Sequence, residues 1–388
     1  MRSHVQRLLA AQHDQLSAPA LGAITLALNQ LRDVIAAGEN IGKIRIKMDE
    51  LDVAANKWLK PYPNAMWREN VEVVLVAVAV AMAIRTFFVQ PFKIPTGSMQ
   101  PTLFGVMSKN LLPGDGQPGD PHFKIPTGWE RVKEWFEGIS YVHVVAQNDG
   151  AINSISPMTR LLIFNFKQTL WIGGQPQTIW FPPDFGEQSL AGRAGLERDR
   201  VYHKGDDVVR IQTCAGDHLF VDRLTYNFRK PQRGEIIVFQ TKGIQHPMMP
   251  QDQFYIKRLV VLPGDRVQIG DDRHLIINGS RLDASTPHFE NVYSFDPKQP
   301  PRESQFSGHL NGTAAVKYNI YPGLGLAPLF PDEQTVYTNS DDAYMVMGDN
   351  TANSFDSRAW GSFPAGNVIG KSFFVYWPIT RRFGWGNQ

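Results

Sequence analysis

One apolar run is long enough to cross a membrane, and it limits how the rest of the chain can fold. Residues 71–89 read VEVVLVAVAVAMAIRTFFV. As an α-helix this run is roughly 28 Å long, close to the ~30 Å hydrocarbon thickness of a bilayer. Its charged residues, Glu72 and Arg85, lie near the two ends, where a charge is least costly. The run predicts a transmembrane helix over 67–90, and the alternative is a buried core helix, because the uninterrupted apolar stretch covers only 73–84.

Basic residues on the two sides of this run predict its orientation. Lys57, Lys60 and Arg68 precede it, whereas Lys93 stands alone after Arg85. Cytoplasmic flanks carry the excess of Lys and Arg in membrane proteins. We therefore expect residues 1–66 to be cytoplasmic and residues 91–388 to lie on the other side.

The N-terminal region, residues 1–66, has the pattern of short amphipathic helices. Apolar residues recur at helical spacing in two stripes, and Gly38 is placed to end the first helix. The stripes are Ile24, Leu28, Leu31 and Ile35, then Met48, Leu51, Ala55 and Trp58. Such stripes pack on one another or on a membrane surface, so we assign no chemistry to this region.

From residue 91 onward the pattern changes to short strand-like runs separated by Gly and Pro. Many short strands with turn residues between them predict a mainly β, antiparallel domain over 91–388. Two stretches resemble insertions into it, at about 104–200 and 280–340. The main runs are LLIFNF (161–166), DVVRIQT (207–213), HLFVDRL (218–224), EIIVFQ (235–240), FYIKRLVVL (254–262), HLIIN (274–278), AYMVMGD (343–349) and SFFVYW (372–377).

Composition and short motifs exclude several classes of function. The formal net charge is only +2, which gives no support to a nucleic-acid partner. The single cysteine, Cys214, rules out an intramolecular disulfide and a multi-cysteine metal site. The stretch GNVIGKS (366–372) has three residues between its glycines where a phosphate-binding loop needs four, so we expect no nucleotide. We predict no metal and no cofactor.

Ser98 lies in the stretch PFKIPTGSMQPTL (91–103), directly after the apolar run. A serine hydroxyl becomes a useful nucleophile only when a nearby base removes its proton. None of the ten histidines has a recognisable triad setting, and a neutral lysine can do the same work. Thr96 places a second hydroxyl where it could help the Ser98 N–H bind an oxyanion. The alternative is an ordinary Pro- and Gly-rich linker leaving a membrane helix.

Lys257 is the candidate base, because it lies within the apolar run FYIKRLVVLPGD (254–265). Burial lowers the pKa of a lysine, and strand alternation would send Lys257 and Arg258 to opposite faces. The alternative is a lysine on an edge strand that deters aggregation. If the two residues form a pair, we expect about 2.6–3.2 Å between the Ser98 hydroxyl and the Lys257 amine.

Four segments in order resemble the conserved boxes of the type I signal peptidases, which are membrane-anchored serine–lysine proteases that remove signal peptides. They are PTGSMQPTL (95–103), RGEIIVF (233–239), YIKRLVVLPGD (255–265) and GDNTANSFDSRAWG (348–361). The resemblance implies the β-rich catalytic domain of that family, here with insertions and preceded by one transmembrane helix and N-terminal helices. It also implies a single-pass protein of a bacterial cytoplasmic membrane whose partners are the bilayer and preproteins with signal peptides.

The resemblance also implies roles for individual residues. Ser98 would be the nucleophile and Lys257 the general base, with Thr96 at the oxyanion hole and Ser354 orienting the lysine. A supporting polar network would comprise Asp349, Asp356, Arg358 and Arg258. Shallow pockets that select Ala-x-Ala before the cleaved bond would be lined by Ile94, Pro95, Met99, Leu103, Tyr255 and Ile256.

This chain departs from the family pattern at several places. Thr351 and Ala352 replace an Arg-Asp pair common in the last box, which puts any salt bridge there in doubt. The hexapeptide FKIPTG occurs twice, at 92–97 and 123–128, but Trp129 follows the second copy. The C-terminal aromatics Trp377, Phe383 and Trp385, with Arg381 and Arg382, fit either a membrane interface or a packed sheet.

Two other functions remain open at this stage. A self-cleaving repressor uses similar serine–lysine chemistry, but it needs a DNA-binding module and no membrane span. A membrane-anchored scaffold could keep a protease fold without its activity. The presence of Ser98, Lys257 and Ser354 together favours the enzyme.

Overall fold

A computed structural model describes residues 1–60, 65–113, 123–162, 164–197, 200–320 and 325–385. Its internal contacts divide the chain into two compact units, Met1–Val80 and Ala81–Gln388. The second unit consists mainly of antiparallel sheets, which confirms the predicted fold class. The helices are α1 (Arg2–Ala11), α2 (Ala18–Ala36), α3 (Ile41–Trp58), α4 (Ala65–Phe87), α5 (Gly128–Phe136), α6 (Leu190–Ala194), α7 (Gly312–Lys317) and α8 (Ser357–Trp360).

The N-terminal helices pack on one another through the predicted stripes. The buried residues are Val5, Ile24, Leu28, Leu31, Leu51 and Ala55. Ile35 and Met48, which were expected to join them, are exposed, because each lies at the edge of its stripe. Helix α2 ends as predicted near Gly38, whose φ of +65° suits a residue without a side chain.

Helix α4 contains the apolar run. Met66–Phe87 is long and apolar enough to cross a membrane, and none of its apolar window is buried within the described residues. It therefore does not have the burial of a core helix, which was the alternative interpretation. Many apolar side chains of this helix are exposed, so they need an apolar environment that this protein does not itself supply.

The strands of the second unit follow the predicted runs closely. The run 161–166 is the exception, because one strand ends at Leu161 and the next begins at Phe164. In chain order the strands are β1 (Val89–Lys93), β2 (Met107–Asn110), β3 (Ile139–Val145), β4 (Gly150–Ile155), β5 (Thr159–Leu161), β6 (Phe164–Ile172), β7 (Gln175–Trp180), β8 (Val201–Tyr202), β9 (Asp207–Cys214), β10 (His218–Asp222), β11 (Ile236–Gln240), β12 (Phe254–Val261), β13 (Arg266–Ile269), β14 (Leu275–Ile277), β15 (Ser280–Arg281), β16 (Tyr337–Thr338), β17 (Ala343–Met347), β18 (Phe363–Pro364) and β19 (Val368–Trp377).

The largest sheet has seven strands in the order β1-β10-β19-β11-β12-β17-β18. Strand β12 pairs with β11 on one side and β17 on the other. Lys257 therefore lies on an interior strand, and the edge-strand interpretation of this lysine is wrong. The side chains that cover one face of this sheet form a core with Ile94, Met99 and Leu103 from the segment after β1.

The two segments predicted to be insertions, which we call the first and second inserted segments, differ in how they are built. Strands of the 104–200 segment form the sheets β2-β9-β3 and β5-β6-β4-β8, with β7 on β6, together with β8 and β9, which follow the segment. These sheets surround a separate apolar core that includes Leu170, Ile172 and Ile211. The 280–340 segment instead adds Phe289, Val292, Tyr293 and Phe330 to a core that it shares with the four-stranded sheet β15-β14-β13-β16.

Candidate active site

Ser98 and Lys257 are in direct contact. Lys257 Nζ donates a hydrogen bond to Ser98 Oγ at 2.6 Å, and a second one to the Ile256 carbonyl oxygen at 3.2 Å. The distance lies in the range expected for a nucleophile and its base. Both residues are buried, with 7% of Ser98 and 4% of Lys257 exposed. Strand β12 thus positions the Lys257 amine beside the turn that follows β1 and contains Ser98.

The setting of Lys257 favours its neutral form. Burial lowers the pKa of Lys257 to about 8, and the charge of Arg358 acts in the same direction. The carboxylates of Asp356, Glu187 and Asp349 act in the opposite direction and limit the shift. A lysine with a pKa of about 8 is partly deprotonated near neutral pH, as a general base must be.

The turn that carries Ser98 is held by the start of the last box. Asn350 donates its backbone N–H to the Ser98 carbonyl oxygen at 3.1 Å and its side-chain amide to the Gly97 carbonyl oxygen at 3.0 Å. A Cβ on Gly348 would lie 2.4 Å from the Ser98 carbonyl oxygen, so only glycine fits there. No role was predicted for Gly348 or Asn350 from the sequence, although both lie in the segment GDNTANSFDSRAWG (348–361).

A buried ion pair joins the lysine strand to the same box. Arg258 donates from Nε and Nη2 to the two carboxylate oxygens of Asp349, each at 2.7 Å. Its Nη1 donates to the Gly234 carbonyl oxygen at 2.6 Å, and Thr102 donates a further hydrogen bond to Asp349. Because both charges are buried and hydrogen-bonded, this pair fixes the strand relative to the turn after Ser98.

A second buried pair lies inside the box. Arg358 donates from Nε and Nη2 to the Asp356 carboxylate, each at 2.9 Å, and Asp356 also accepts the Gly348 N–H at 3.0 Å. Arg358 Nη1 donates to the Thr351 hydroxyl at 2.8 Å, and the same hydroxyl accepts the Leu310 N–H at 2.9 Å. Thr351, at one of the two departures from the family pattern, therefore connects Arg358 to the 280–340 segment through hydrogen bonds.

The hydrogen bond from Ser354 to Lys257 that the resemblance implied is absent from the described residues. Among the described residues, no hydrogen bond of normal geometry reaches the buried Ser354 hydroxyl. The hydroxyl acts on Asp356 instead. Burial alone would raise the pKa of Asp356, but the charge and hydrogen bonds of Arg358, with smaller contributions from the Gly348 N–H and Ser354, hold it below its usual value.

The residues expected to bind substrate separate into two groups. Pro95 is exposed, and Thr96, Tyr255 and Ile256 are half-buried, so a substrate can reach them. The Thr96 hydroxyl forms no hydrogen bond with any residue in the described part of the chain, which leaves it available to an oxyanion. Ile94, Met99 and Leu103 are fully buried in the sheet core and offer almost no surface to a ligand. Sequence spacing does not distinguish a pocket wall from the core behind it.

The chain is similar in sequence to known signal peptidases. The profile of the family "Signal peptidase, peptidase S26" matches residues 67–109 and 210–377, which is more than half of the chain. The signal peptidase I of Leptolyngbya laminosa is 28% identical over 43% of this chain and 63% of its own length. The probable signal peptidase I-2 of Synechocystis sp. is 28% identical over 42% of this chain and 57% of its own length.

A solved signal peptidase I from Enterococcus faecalis V583 is 27% identical over 37% of this chain and 97% of that chain, with a TM-score of 0.22. The chain spans about three fifths of the length of the curated relatives it matches. The profile leaves out residues 110–209, most of which lie in the first inserted segment. Because the matched residues include Ser98, Lys257 and the whole of the last box, the chain belongs to the signal peptidase family, peptidase S26.

Proposed function

We propose that this protein is a membrane-anchored signal peptidase I, a serine endopeptidase that removes N-terminal signal peptides from preproteins. The observation that carries the proposal is the 2.6 Å contact between Ser98 Oγ and Lys257 Nζ in a buried setting. Membership of the signal peptidase family and one helix long enough to cross a membrane support the anchored form. Serine peptidases of this kind need no metal or other cofactor, and none is proposed.

In the acylation step, neutral Lys257 removes the proton of Ser98 as Oγ attacks the carbonyl carbon of the scissile peptide. The Ser98 N–H and the Thr96 hydroxyl would donate to the oxyanion that forms. The tetrahedral intermediate then collapses and the C–N bond breaks. Lys257 gives its proton to the leaving amine, which departs as the new N-terminus of the mature protein.

In the deacylation step, water attacks the ester formed on Ser98 Oγ. Lys257 is again neutral after releasing its proton, so it can remove a proton from that water. Collapse of the second intermediate returns the hydrogen to Ser98 Oγ and frees the carboxyl end of the signal peptide. The two buried ion pairs, Arg258–Asp349 and Arg358–Asp356, keep the strand and the turn in place through both steps.

The position of Ser98 in the chain suits a substrate that is itself held in the bilayer. Helix α4 ends at Phe87, and the eleven residues from there to Ser98 span at most about 36 Å when extended. The nucleophile therefore stays close to the membrane surface, where the junction between signal peptide and mature protein emerges. We propose a single-pass arrangement in a bacterial cytoplasmic membrane, with residues 1–66 in the cytoplasm and the catalytic unit outside.

Specificity for small residues such as Ala-x-Ala would come from the surface formed by Pro95, Tyr255 and Ile256. Because Ile94, Met99 and Leu103 fill the space behind this surface, no deep pocket opens for a large side chain. A shallow site excludes large side chains because they would overlap its walls. Small side chains gain little binding energy there, so specificity depends on the steric exclusion of large ones.

The proposal is tested with the full-length protein in proteoliposomes and a preprotein carrying an Ala-x-Ala site. We expect Ser98→Ala and Lys257→Ala each to lower the cleavage rate by about 10³-fold or more, because each removes half of a coupled pair. The exposed residues Ser285 and Lys298 provide matched controls, and their replacement by alanine should leave the rate unchanged.

Retention of full activity in either active-site variant would contradict the mechanism. A wild-type protein that is folded yet neither cleaves the preprotein nor becomes acylated at Ser98 by a serine-directed inhibitor would favour the scaffold instead. Recovery of the intact protein in the soluble fraction would favour the self-cleaving repressor.

A further inference from the structure

The first inserted segment carries an unusual number of exposed aromatic and large apolar side chains. Helix α5 presents Trp129, Val132 and Phe136 on one face, at positions i, i+3 and i+7. The β5–β6 turn presents Leu162, which is 89% exposed, and Trp129 is 80% exposed. Single exposed apolar residues are common on protein surfaces, but groups of them mark a contact with something else.

Residues next to these in the chain line a groove of about 770 Å³. Its walls bring together Trp135 of α5, Leu161 of β5, Phe164 of β6, Phe181 after β7 and Trp377 at the end of β19. Direct contacts connect the helix to the C-terminal segment. The Ile379 N–H donates to the Phe136 carbonyl oxygen at 2.9 Å, and the rings of Trp135 and Trp377 lie 6.3 Å apart. We call this set the aromatic surface: Trp129, Trp135, Phe136, Leu161, Leu162, Phe164, Phe181, Trp377 and Ile379.

The aromatic surface lies close to the membrane helix along the chain. Lys93, at the end of β1, is also part of the groove wall. Lys93 is the sixth residue after Phe87, the last residue of α4, so the two lie at most about 20 Å apart. A lipid surface is therefore always within reach of this groove, at a far higher local concentration than any free partner.

The chemistry of the aromatic surface fits the boundary between lipid headgroups and acyl chains. Tryptophan is enriched there because its ring is apolar and its N–H is polar, and phenylalanine and leucine enter the acyl region beside it. The most exposed members are Leu162, between β5 and β6, and Trp129 on α5.

We propose that the aromatic surface of the first inserted segment docks on the lipid bilayer and gives the catalytic unit a second membrane contact besides α4. Most of these residues lie outside the part of the chain that the signal peptidase profile matches. The proposal rests on the proposed function only in that the protein is membrane-anchored. The docked segment would hold the catalytic unit at a fixed orientation above a bilayer-held substrate.

The first experiment measures lipid contact directly in the full-length protein. The only cysteine, Cys214, is replaced by serine, and an environment-sensitive NBD fluorophore is attached at Leu162→Cys. The matched control is Val316→Cys on α7, which replaces another exposed apolar residue (59% exposed) outside the aromatic surface. Both proteins are reconstituted into phosphatidylcholine–phosphatidylglycerol vesicles with and without doxyl-labelled lipid.

We expect the doxyl lipid to quench the fluorophore at position 162 by about half, because an interfacial segment enters the headgroup and acyl boundary. The fluorophore at position 316 should not be quenched. Equal emission with and without doxyl lipid at position 162 would overturn the proposal. A blue-shifted but unquenched fluorophore would also overturn it, since it would show burial against a protein, such as a second copy of this chain.

The second experiment asks whether the contact matters for catalysis. The double substitution Leu162→Asp and Phe181→Asp should lower the cleavage rate of a bilayer-held preprotein about tenfold, because the catalytic unit is then less well oriented toward that substrate. The cleavage rate of a short soluble peptide should be unaffected. Val316→Asp should affect neither substrate. An equal loss on both substrates would contradict a docking role. A wild-type protein that cleaves neither substrate would refute the proposed function alone, and the quenching result would still decide the lipid contact.

Discussion

The catalytic region and the first inserted segment use charged and apolar side chains in opposite ways. Around Ser98 the charges are buried and fully paired, as in Arg258–Asp349 and Arg358–Asp356. In the inserted segment His143 pairs with Asp207 of the following strand β9, both side chains being partly exposed, and large apolar residues such as Leu162 are exposed. The difference suits the roles proposed for the two regions, because a fixed nucleophile needs rigid supports and a surface element needs a contact face.

The largest expected effect on stability is from Asp349→Asn in the catalytic region. The change leaves the buried guanidinium of Arg258 without its counter-charge, and breaking such a pair costs about 3–5 kcal/mol in the free energy of unfolding. Asp207→Asn, on β9 beside the inserted segment, should cost only up to about 1 kcal/mol, because its pairing with His143 is partly exposed. Urea unfolding followed by circular dichroism measures both. Equal losses would mean that the two regions do not differ in this way.

A second prediction tests whether the separate cores of the two regions are also separate in stability. Leu170→Ala in the inserted core and Leu219→Ala in the catalytic core each remove a fully buried side chain, at a cost of about 2–5 kcal/mol. We expect Leu170→Ala to speed amide hydrogen exchange in β4, β6 and β7 while β11 and β12 keep their protection. Leu219→Ala should do the reverse. Faster exchange everywhere in both variants would show one cooperative unit.

The smallest expected effects concern the pH dependence of cleavage. Acylation needs neutral Lys257, whose pKa is about 8, so the rate should rise with pH up to that value and level off above it. Below pH 8 the rate should fall about tenfold for each pH unit. The measurement is kcat/KM for a soluble peptide between pH 6 and 10. A rate that is flat across this range would exclude Lys257 as the base.

Glu187 connects the two regions in the same experiment. It lies in the inserted segment, and its carboxylate raises the pKa of Lys257. Glu187→Gln should therefore move the midpoint of the profile to lower pH, by a few tenths of a unit for an exposed charge. Glu197→Gln, also in the inserted segment but not among the causes of the Lys257 shift, is the control and should leave the midpoint in place. An unchanged midpoint in Glu187→Gln would show that this charge of the inserted segment does not affect the pKa of Lys257.

The two copies of FKIPTG show why local sequence could not predict the site alone. In the first copy Ile94 is buried in the sheet core and donates its backbone N–H to the Asp217 carbonyl oxygen, and the turn after Gly97 carries Ser98. In the second copy Ile125 is only half-buried, and Gly128 has a φ of +61° at the start of α5. Identical residues therefore have different neighbours, and the neighbours decide their role.

Patterns within the sequence were sufficient to predict the apolar helix, the strand-like runs, the paired helices of residues 1–66 and the four boxes that identify the family. These features depend on local periodicity or on residue types at short spacing, which every sequence shows directly. The 2.6 Å contact between Ser98 and Lys257 joins residues 159 positions apart, and its burial depends on side chains from several other strands. Only the tertiary structure decided that Met99 and Leu103 belong to the core, that Asn350 holds the Ser98 turn and that Ser354 makes no hydrogen bond to Lys257. In each case the deciding contact is with a residue distant in sequence, so the local sequence pattern does not predict that contact.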